Sequence, residues 1–419
     1  MDQALLARFA LDPAVTFLNH GSFGACPRDV LAVQSELRER MERQPVRFFA
    51  RELPVLLDDA RAPLARFLHT APERLAFVPN ATAAVNAVLR WLPLSPGDEL
   101  LTTDHIYNAC NNVLEEAARH AGARVVTAHV PFPLASDDDV VAPVLAAVTP
   151  RTRLALLDHV TSPTGLVFPV ARLVRELRAR GVECLVDAAH APGQVPLDVD
   201  AIGAAWLTGN CHKWLFAPKG AAFLAVRADK LEGTRPAVLS HGANAPPGAR
   251  SRFQLEFDWV GTVDPTPWLA VPAGLSFGER LFEGGWPALM ARNHALAVEA
   301  RALLCTALGV PEPAPAAMIG ALASVPLPDG DGTTEGPLYG DPLQRALAEQ
   351  HAIEVPIVPW PQPPRPRASL ARHGRPCSAA RPRRLVRISA QAYNTIEQYR
   401  RLADALIALV GRAREAPTR

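Results

Sequence analysis

Between residues 98 and 190 the chain alternates short apolar runs with stretches of helical periodicity: DELLTTD, NNVLEEAARHAG, ARVVTAHV, VVAPVLAAVT, RLALLDHV, VARLVRELRARG and VECLVDAAH follow in that order. A strand that is apolar on nearly every residue is stable only where both of its faces are covered, and the intervening helices supply the cover. The pattern therefore demands an α/β fold with a mainly parallel sheet. LAFV (75–78), AAWLTGN (204–210) and AAFLAVR (221–227) read as further strands, while 28–43 and 54–69 carry apolar positions at helical spacing.

After about residue 270 the alternation stops. Helical segments such as WPALMARNHALAVEARALLCTAL precede Pro- and Gly-rich patches, then the stretch PWPQPPRPRASLARHGRPCSAARPRRL, and finally a strand and closing helix in LVRISAQAYNTIEQYRRLADALIALV. Prolines and arginines at that density do not build a core, so the long Pro/Arg stretch is expected to be an exposed loop. The expected organisation is an N-terminal arm (1–25) joining the small domain, a large domain (26–270) and a smaller α+β C-terminal domain (271–419).

At 419 residues with 49% hydrophobic and 20% charged residues the chain can bury a large core. Its 43 basic and 42 acidic side chains leave a formal charge of +1, no field for gathering nucleic acid or an anionic membrane, so a small-molecule partner is expected. MDQALLARFALDP lacks the apolar stretch of a secretory signal, and no apolar run reaches the roughly 18 residues of a membrane span. The six cysteines (Cys26, Cys110, Cys184, Cys211, Cys305, Cys377) form no CxxC pair, which argues against a zinc site or disulfide framework and for a reducing cytoplasm.

Ligands of such sheets bind beyond the carboxyl ends of the strands, which directs attention to polar residues just after apolar runs. Asn80-Ala81-Thr82 opens a helix, where free N–H groups and the Thr82 hydroxyl suit a phosphate; an ordinary helix cap is the plainer reading. No GxGxxG or GxxxxGK[ST] loop accompanies it. Asp187 ends a buried strand, where a carboxylate needs a cationic partner such as a protonated ring nitrogen or else caps a loop. Lys213 follows the next strand and is either a solvated lysine or a partly desolvated, nucleophilic amine. An anion cradle, a carboxylate for a pyridinium and a lysine for an aldehyde are the three handles of pyridoxal phosphate.

With these parts in place, NATAAVNAVL, VDAAHAPG, GNCHKWLFAPKG, VGTVDPTPWLA and RISAQAYNT occur in an order that resembles the class V aminotransferase-like enzymes, in particular the isopenicillin N epimerase-like subgroup. The likeness runs from FLNHGSFGACP (17–27) to the final helix. It implies the pyridoxal-phosphate fold type I with a seven-stranded sheet, and a homodimer with shared active sites. It also implies that Lys213 is the covalent anchor of the cofactor, that Asp187 meets its ring nitrogen and that His190 positions the ring or its phenolic oxygen. Ala81, Thr82, Asn210 and His212 would hold the phosphate, with Thr262 reaching it from the other subunit. In DHIYNAC an aromatic or histidine covers the ring, Tyr107 before His105. Arg387 would grip the substrate α-carboxylate with Asn19 and His20 closing over it.

The reaction implied is α-proton removal from an amino acid by Lys213, followed by return to the opposite face (epimerisation, with Tyr107 as the second acid) or loss of a sulfur group from the β-carbon (C–S lyase). A transaminase fits this subgroup less well, and a pyridoxal-phosphate-binding regulator or carrier lacks the basic patch it would need. Cys377 sits ten residues before Arg387, where cysteine desulfurases of the wider class carry a sulfur-attacking thiol, but without their flanking pattern. Cys211 reads as a small buried residue. Arg47 and Arg51 read as exposed arginines, or as partners for a distal substrate carboxylate.

Overall fold

The computed structural model describes residues 3–246, 248, 250–328, 340–361 and 383–415. Most of the Pro/Arg-rich stretch, Cys377 included, lies outside the described residues. The central sheet is formed by β1 (Leu75–Val78), β2 (Glu99–Thr103), β3 (Arg124–Ala128), β4 (Thr152–Asp158), β5 (Glu183–Asp187), β6 (Trp206–Asn210) and β7 (Ala222–Val226). Their order across the sheet is β1-β7-β6-β5-β4-β2-β3. Only β7 runs antiparallel to its neighbours, pairing with β1 on one side and β6 on the other. This is the mainly parallel, seven-stranded α/β sheet that the apolar runs demanded.

Each segment is legible in its residues. β5, ECLVD, is buried over its last four positions, and β7, AFLAV, over all five, because both sheet faces are covered. Two apolar clusters do the covering: one gathers Leu101, Ala155, Leu157, Val186 and Leu207, and the opposite one gathers Leu100, Leu154, Leu156 and Leu185. The period-2 alternation of strand side chains sends neighbouring residues of β4 into different clusters. Helices α1 (Ala81–Trp91), α2 (Asn108–Ala121) and α3 (Val170–Arg178) lie between the strands, and α3 alternates its buried Val170, Leu173, Val174 and Leu177 with arginines.

The second layer begins with α4 (Gly285–Leu308) and contains the three-stranded antiparallel sheet of β8 (Leu322–Pro326), β9 (Ile357–Trp360) and β10 (Arg383–Ser389), ordered β9-β10-β8, with the closing helix α5 (Ile396–Glu415). The N-terminal strand Thr16–Phe17 pairs in parallel with Ile353–Glu354, and Leu18 joins the apolar cluster of this layer. Beyond residue 270 the core of the large sheet continues through Val271, Leu275, Phe277, Trp286 and Leu289.

One close approach ties the N-terminal segment to the sheet. Gly24 has φ +70°, and a β-carbon there would lie 2.2 Å from the His212 carbonyl oxygen and 2.7 Å from that of Lys213. The Lys219 ammonium donates to the Gly24 carbonyl at 2.7 Å, and His20 Nε2 donates to the Lys213 carbonyl at 3.0 Å. Gly24→Ala combines a left-handed backbone with a backbone clash, so it should lower stability by about 2 kcal/mol or more in denaturant titration.

Candidate active site

The carboxyl ends of β6, β5, β4 and β2 lie side by side across the sheet, and the strand order reverses between β4 and β2, at the crevice where ligands of such sheets bind. Lys213 lies on the helical turn Cys211–Trp214 that leaves β6. Cys211 and Trp214 are wholly buried and fix the turn in the core. The Lys213 amine is 3.0 Å from His190 Nε2. Burial first, then the Arg387 charge, pull its pKa from 10.5 to about 8, against the opposing pull of Asp187, Cys110 and Asp158. Near neutral pH such an amine gives up its proton far more readily than a solvated lysine. Burial and the neighbouring Lys213 charge hold His190 well below the usual histidine range. With Nε2 accepting from the amine, its ring proton sits on Nδ1, a buried donor with no partner among the described residues.

Asp187 closes β5 at 3% exposure. It accepts from the Ala189 amide at 2.9 Å and from the Cys110 thiol at 3.1 Å, and burial pushes its pKa up. Directly beside it, in register on β4, is Asp158, which sequence reasoning did not select. Asp158 accepts from the Tyr107 amide at 3.3 Å, while its Oδ2 has no hydrogen-bond partner among the described residues. Neighbouring strands lie about 4.8 Å apart, a spacing at which two ionised carboxylates repel by roughly 3 kcal/mol in a protein-like dielectric.

At the helix end of the crevice the expected anion cradle is partly occupied by the protein itself. The Ala81 amide donates to Asn210 Oδ1 at 2.9 Å, and the Ala83 amide to Asn80 Oδ1 at 2.9 Å. Asn80 is thus a true cap, and Asn210 ties β6 to the start of α1. Among the described residues, the Thr82 hydroxyl and the Asn210 side-chain NH2 have no hydrogen-bond partner. His212 donates from Nδ1 to the Ala221 carbonyl at 2.8 Å, and burial lowers its pKa to about 4. Its Nε2 therefore presents a lone pair, and it becomes a donor to an anion only when that anion restores the proton. Thr262 is exposed on this chain.

Arg387 on β10 is 5% exposed. It donates to the Ser162 carbonyl at 2.6 Å and hydroxyl at 3.0 Å, and to the Ser22 hydroxyl at 2.8 Å. Both serines escaped sequence reasoning, since a lone serine in a short helix (Ser22) or a turn (Ser162) carries no pattern. Asn19 stands one step behind: its carbonyl accepts from Ser22 Oγ at 2.5 Å and its amide donates to Glu354 at 3.2 Å. His20 differs from the expectation of a substrate contact. It is wholly buried, tilted against Trp214 with centroids 4.9 Å apart, accepts from Tyr393 OH at 2.8 Å, and has its pKa lowered to about 3 by burial. It pins the lysine-bearing turn from behind.

His105 also differs from its expected place over a ring. Both its nitrogens are engaged, with Thr164 Oγ1 at 2.7 Å and the Val130 carbonyl at 3.0 Å, and its ring packs on Trp360 with centroids 4.3 Å apart. Tyr107, 37% exposed at the start of α2, is the aromatic left at the mouth. Arg47 is bonded to Glu52 at 2.7 Å, and Arg51 is exposed.

A buried amine of lowered pKa, a buried carboxylate, an unpartnered imidazole N–H and polar groups at a helix start fit the aldehyde, ring nitrogen, phenolic oxygen and phosphate of pyridoxal phosphate. Fold and site together define a pyridoxal-phosphate enzyme of fold type I. The family model "Aminotransferase class-V" matches residues 25–259. The chain is 37% identical to isopenicillin N epimerase from Streptomyces clavuligerus, covering 96% of this chain and 97% of that protein. It is 34% identical to a probable chloroplastic L-cysteine desulfhydrase from Arabidopsis thaliana, over 95% of this chain and 84% of that one. Among solved structures, the apo cysteine desulfurase from Thermococcus onnurineus NA1 superposes with a TM-score of 0.76 at 17% identity, covering 98% of each chain. The cystine C-S lyase C-DES superposes at 0.73 and 21% identity, over 94% of this chain and 97% of that one, which speaks for the fold. The chain belongs to the class V aminotransferase family.

A buried base with a lowered pKa costs the folded state while it is charged. For Lys213 that cost is present in full below about pH 8 and fades as pH rises towards 10.5, where the unfolded chain also loses the proton. In cofactor-free protein, Lys213→Met should therefore be more stable than wild type at pH 7, with the gap closing between about pH 8 and 10.5 in chemical denaturation.

Proposed function

We propose that this protein is an amino acid epimerase of the isopenicillin N epimerase kind, using pyridoxal phosphate and acting at the α-carbon. The observation that carries the reading is the buried Lys213 amine, poised near pH 8 between the Asp187 side of the crevice and Arg387. Pyridoxal phosphate, when bound, supplies a conjugated ring that takes up the electron pair left when the α-proton departs. With the cofactor bound, Asp187 would pair with the ring nitrogen and favour its protonated form, and the His190 Nδ1 proton would be available to the phenolic oxygen. The Thr82 hydroxyl and the Asn210 NH2 would hold the phosphate, joined by the Ala81 amide once it is released from Asn210 and by His212 once it is protonated, with Thr262 of a second copy completing the site in a homodimer. Arg387 exchanges its two serine hydroxyls for the substrate carboxylate, accepted as a pair of parallel hydrogen bonds.

In this arrangement Lys213 takes the α-proton on one face, and Tyr107 at the mouth returns one on the other. A C–S lyase is the second reading, favoured by the identity of 34% to a probable L-cysteine desulfhydrase. It shares every step up to proton removal. The reading includes the arm, large-domain and small-domain division near residues 25 and 270, and a cytoplasmic setting. Five free, buried cysteines suit a reducing compartment, and no helix among the described residues is long and apolar enough to cross a membrane.

Incubation of the protein with a panel of amino acids in heavy water separates the readings. Inverted, α-deuterated amino acid is expected; sulfide with pyruvate moves the assignment to the lyase, and a protein that binds the cofactor yet exchanges no α-proton overturns both. Lys213→Ala should slow exchange by about 10²–10⁴-fold. Arg387→Lys should raise KM by roughly 10- to 100-fold while leaving cofactor absorbance in place, because an ammonium cannot reproduce the two-pronged contact.

A further inference from the structure

Asp158 and Asp187 face each other in register on parallel β4 and β5, each 3% exposed. Several groups stand around the pair. The Tyr107 amide and the Cys110 thiol come from the start of α2, and the Lys213 amine from the turn after β6. His190 follows β5 and is held neutral, His159 is buried beside Asp158 with its pKa lowered to about 4, and the Arg387 charge reaches the site from β10. A single amine cannot neutralise two dry carboxylates, and less so once its nitrogen is committed to a cofactor.

Donors are divided unevenly between the two. Asp187 accepts from an amide at 2.9 Å and a thiol at 3.1 Å, whereas Asp158 accepts from the Tyr107 amide at 3.3 Å and leans on its own amide, and its buried Oδ2 has no partner among the described residues. Donors favour the ionised form, and burial without them favours the acid. Burial and the Asp187 charge accordingly hold the Asp158 carboxyl well above the usual carboxylate range.

We propose that Asp158 carries a proton in the resting site and acts as the positioning residue of the ring-nitrogen carboxylate, keeping the pair at one negative charge so that Asp187 alone is ionised. The role of Asp187 towards the ring nitrogen rests on the function proposed above; the protonation of Asp158 does not. As an acid, a neutral Asp158 has nearly the shape and donor of asparagine.

Infrared spectroscopy of the cofactor-free, full-length protein tests this directly. At pH 7 wild type should show the carbonyl band of a buried protonated carboxyl, which disappears in Asp158→Asn. Asp158→Ser, smaller and equally unable to hold the proton, should give the same loss and covers the case in which asparagine does not fit. In cofactor titrations followed by absorbance, Asp158→Asn should keep the dissociation constant within about threefold of wild type at pH 7, while Asp187→Asn weakens it by about tenfold or more. A band that survives in Asp158→Asn, a wild type without one, or an Asp158→Asn affinity as weak as that of Asp187→Asn overturns the proposal. Failure of the cofactor reading is distinguishable, since the infrared result is obtained without cofactor.

Discussion

The structure depends on keeping one primary amine out of water. A lysine ammonium drawn away from water is costly, and the surroundings of Lys213 lower that cost in two ways: the Asp187 carboxylate attracts it, and desolvation lets it shed its proton near pH 8. Neither works without a rigid floor. Trp214 and Cys211 sink the turn into the core, while His20 and the Gly24 region clamp its backbone from the N-terminal segment. The reactive nitrogen is thus held by elements nearly 200 residues away in sequence, and its carrier turn cannot shift without disturbing both layers.

The same clamp connects the two layers chemically. Ser22 lies in the N-terminal segment, Ser162 follows β4 of the large sheet, and both meet Arg387 on β10. In the proposed function, a substrate carboxylate bound there would meet three separate parts of the fold, and their packing would locate its α-carbon relative to Lys213. This is orientation achieved by a scaffold, where small misplacement costs much of the rate. The Ser162 and Ser22 hydroxyls hold the Arg387 guanidinium in one orientation.

Much of this was legible in the residues. The apolar runs specify a covered parallel sheet, and the strand-end rule leads to Asp187 and Lys213 because each ends or follows such a run. Asp158 ends a run of the same kind in RLALLD, and that signal was present but unused. Other parts were not legible for physical reasons. Ser22 and Ser162 act through tertiary position, Cys110 is a thiol whose only distinction is the carboxylate it faces, and Asn210 spends its oxygen on the Ala81 amide, a contact 129 residues away along the chain. His20 and His105 carry titratable rings in motif-like settings, yet both are buried with their nitrogens engaged, and burial holds them neutral.

In the proposed function, the choice between epimerase and C–S lyase turns on what meets the α-carbon once Lys213 has taken its proton. A lyase that attacks substrate sulfur with a cysteine needs a thiolate, and the described cysteines are unsuited to it. All five are buried, with burial raising Cys26 and Cys184 to about 12, Cys305 to about 11, and Cys110 and Cys211 upwards as well. For these residues the lyase reading therefore reduces to β-elimination, which asks nothing further of the protein than proton removal and a good leaving group on the substrate. Epimerisation asks for one thing more, an acid on the opposite face, and Tyr107 at the mouth of the crevice is the phenol that occupies the exposed side. In the proposed reading the two activities differ by one proton donor and by the substrate's β-substituent, which fits relatives named for each reaction aligning over 96% and 95% of this chain at 37% and 34% identity.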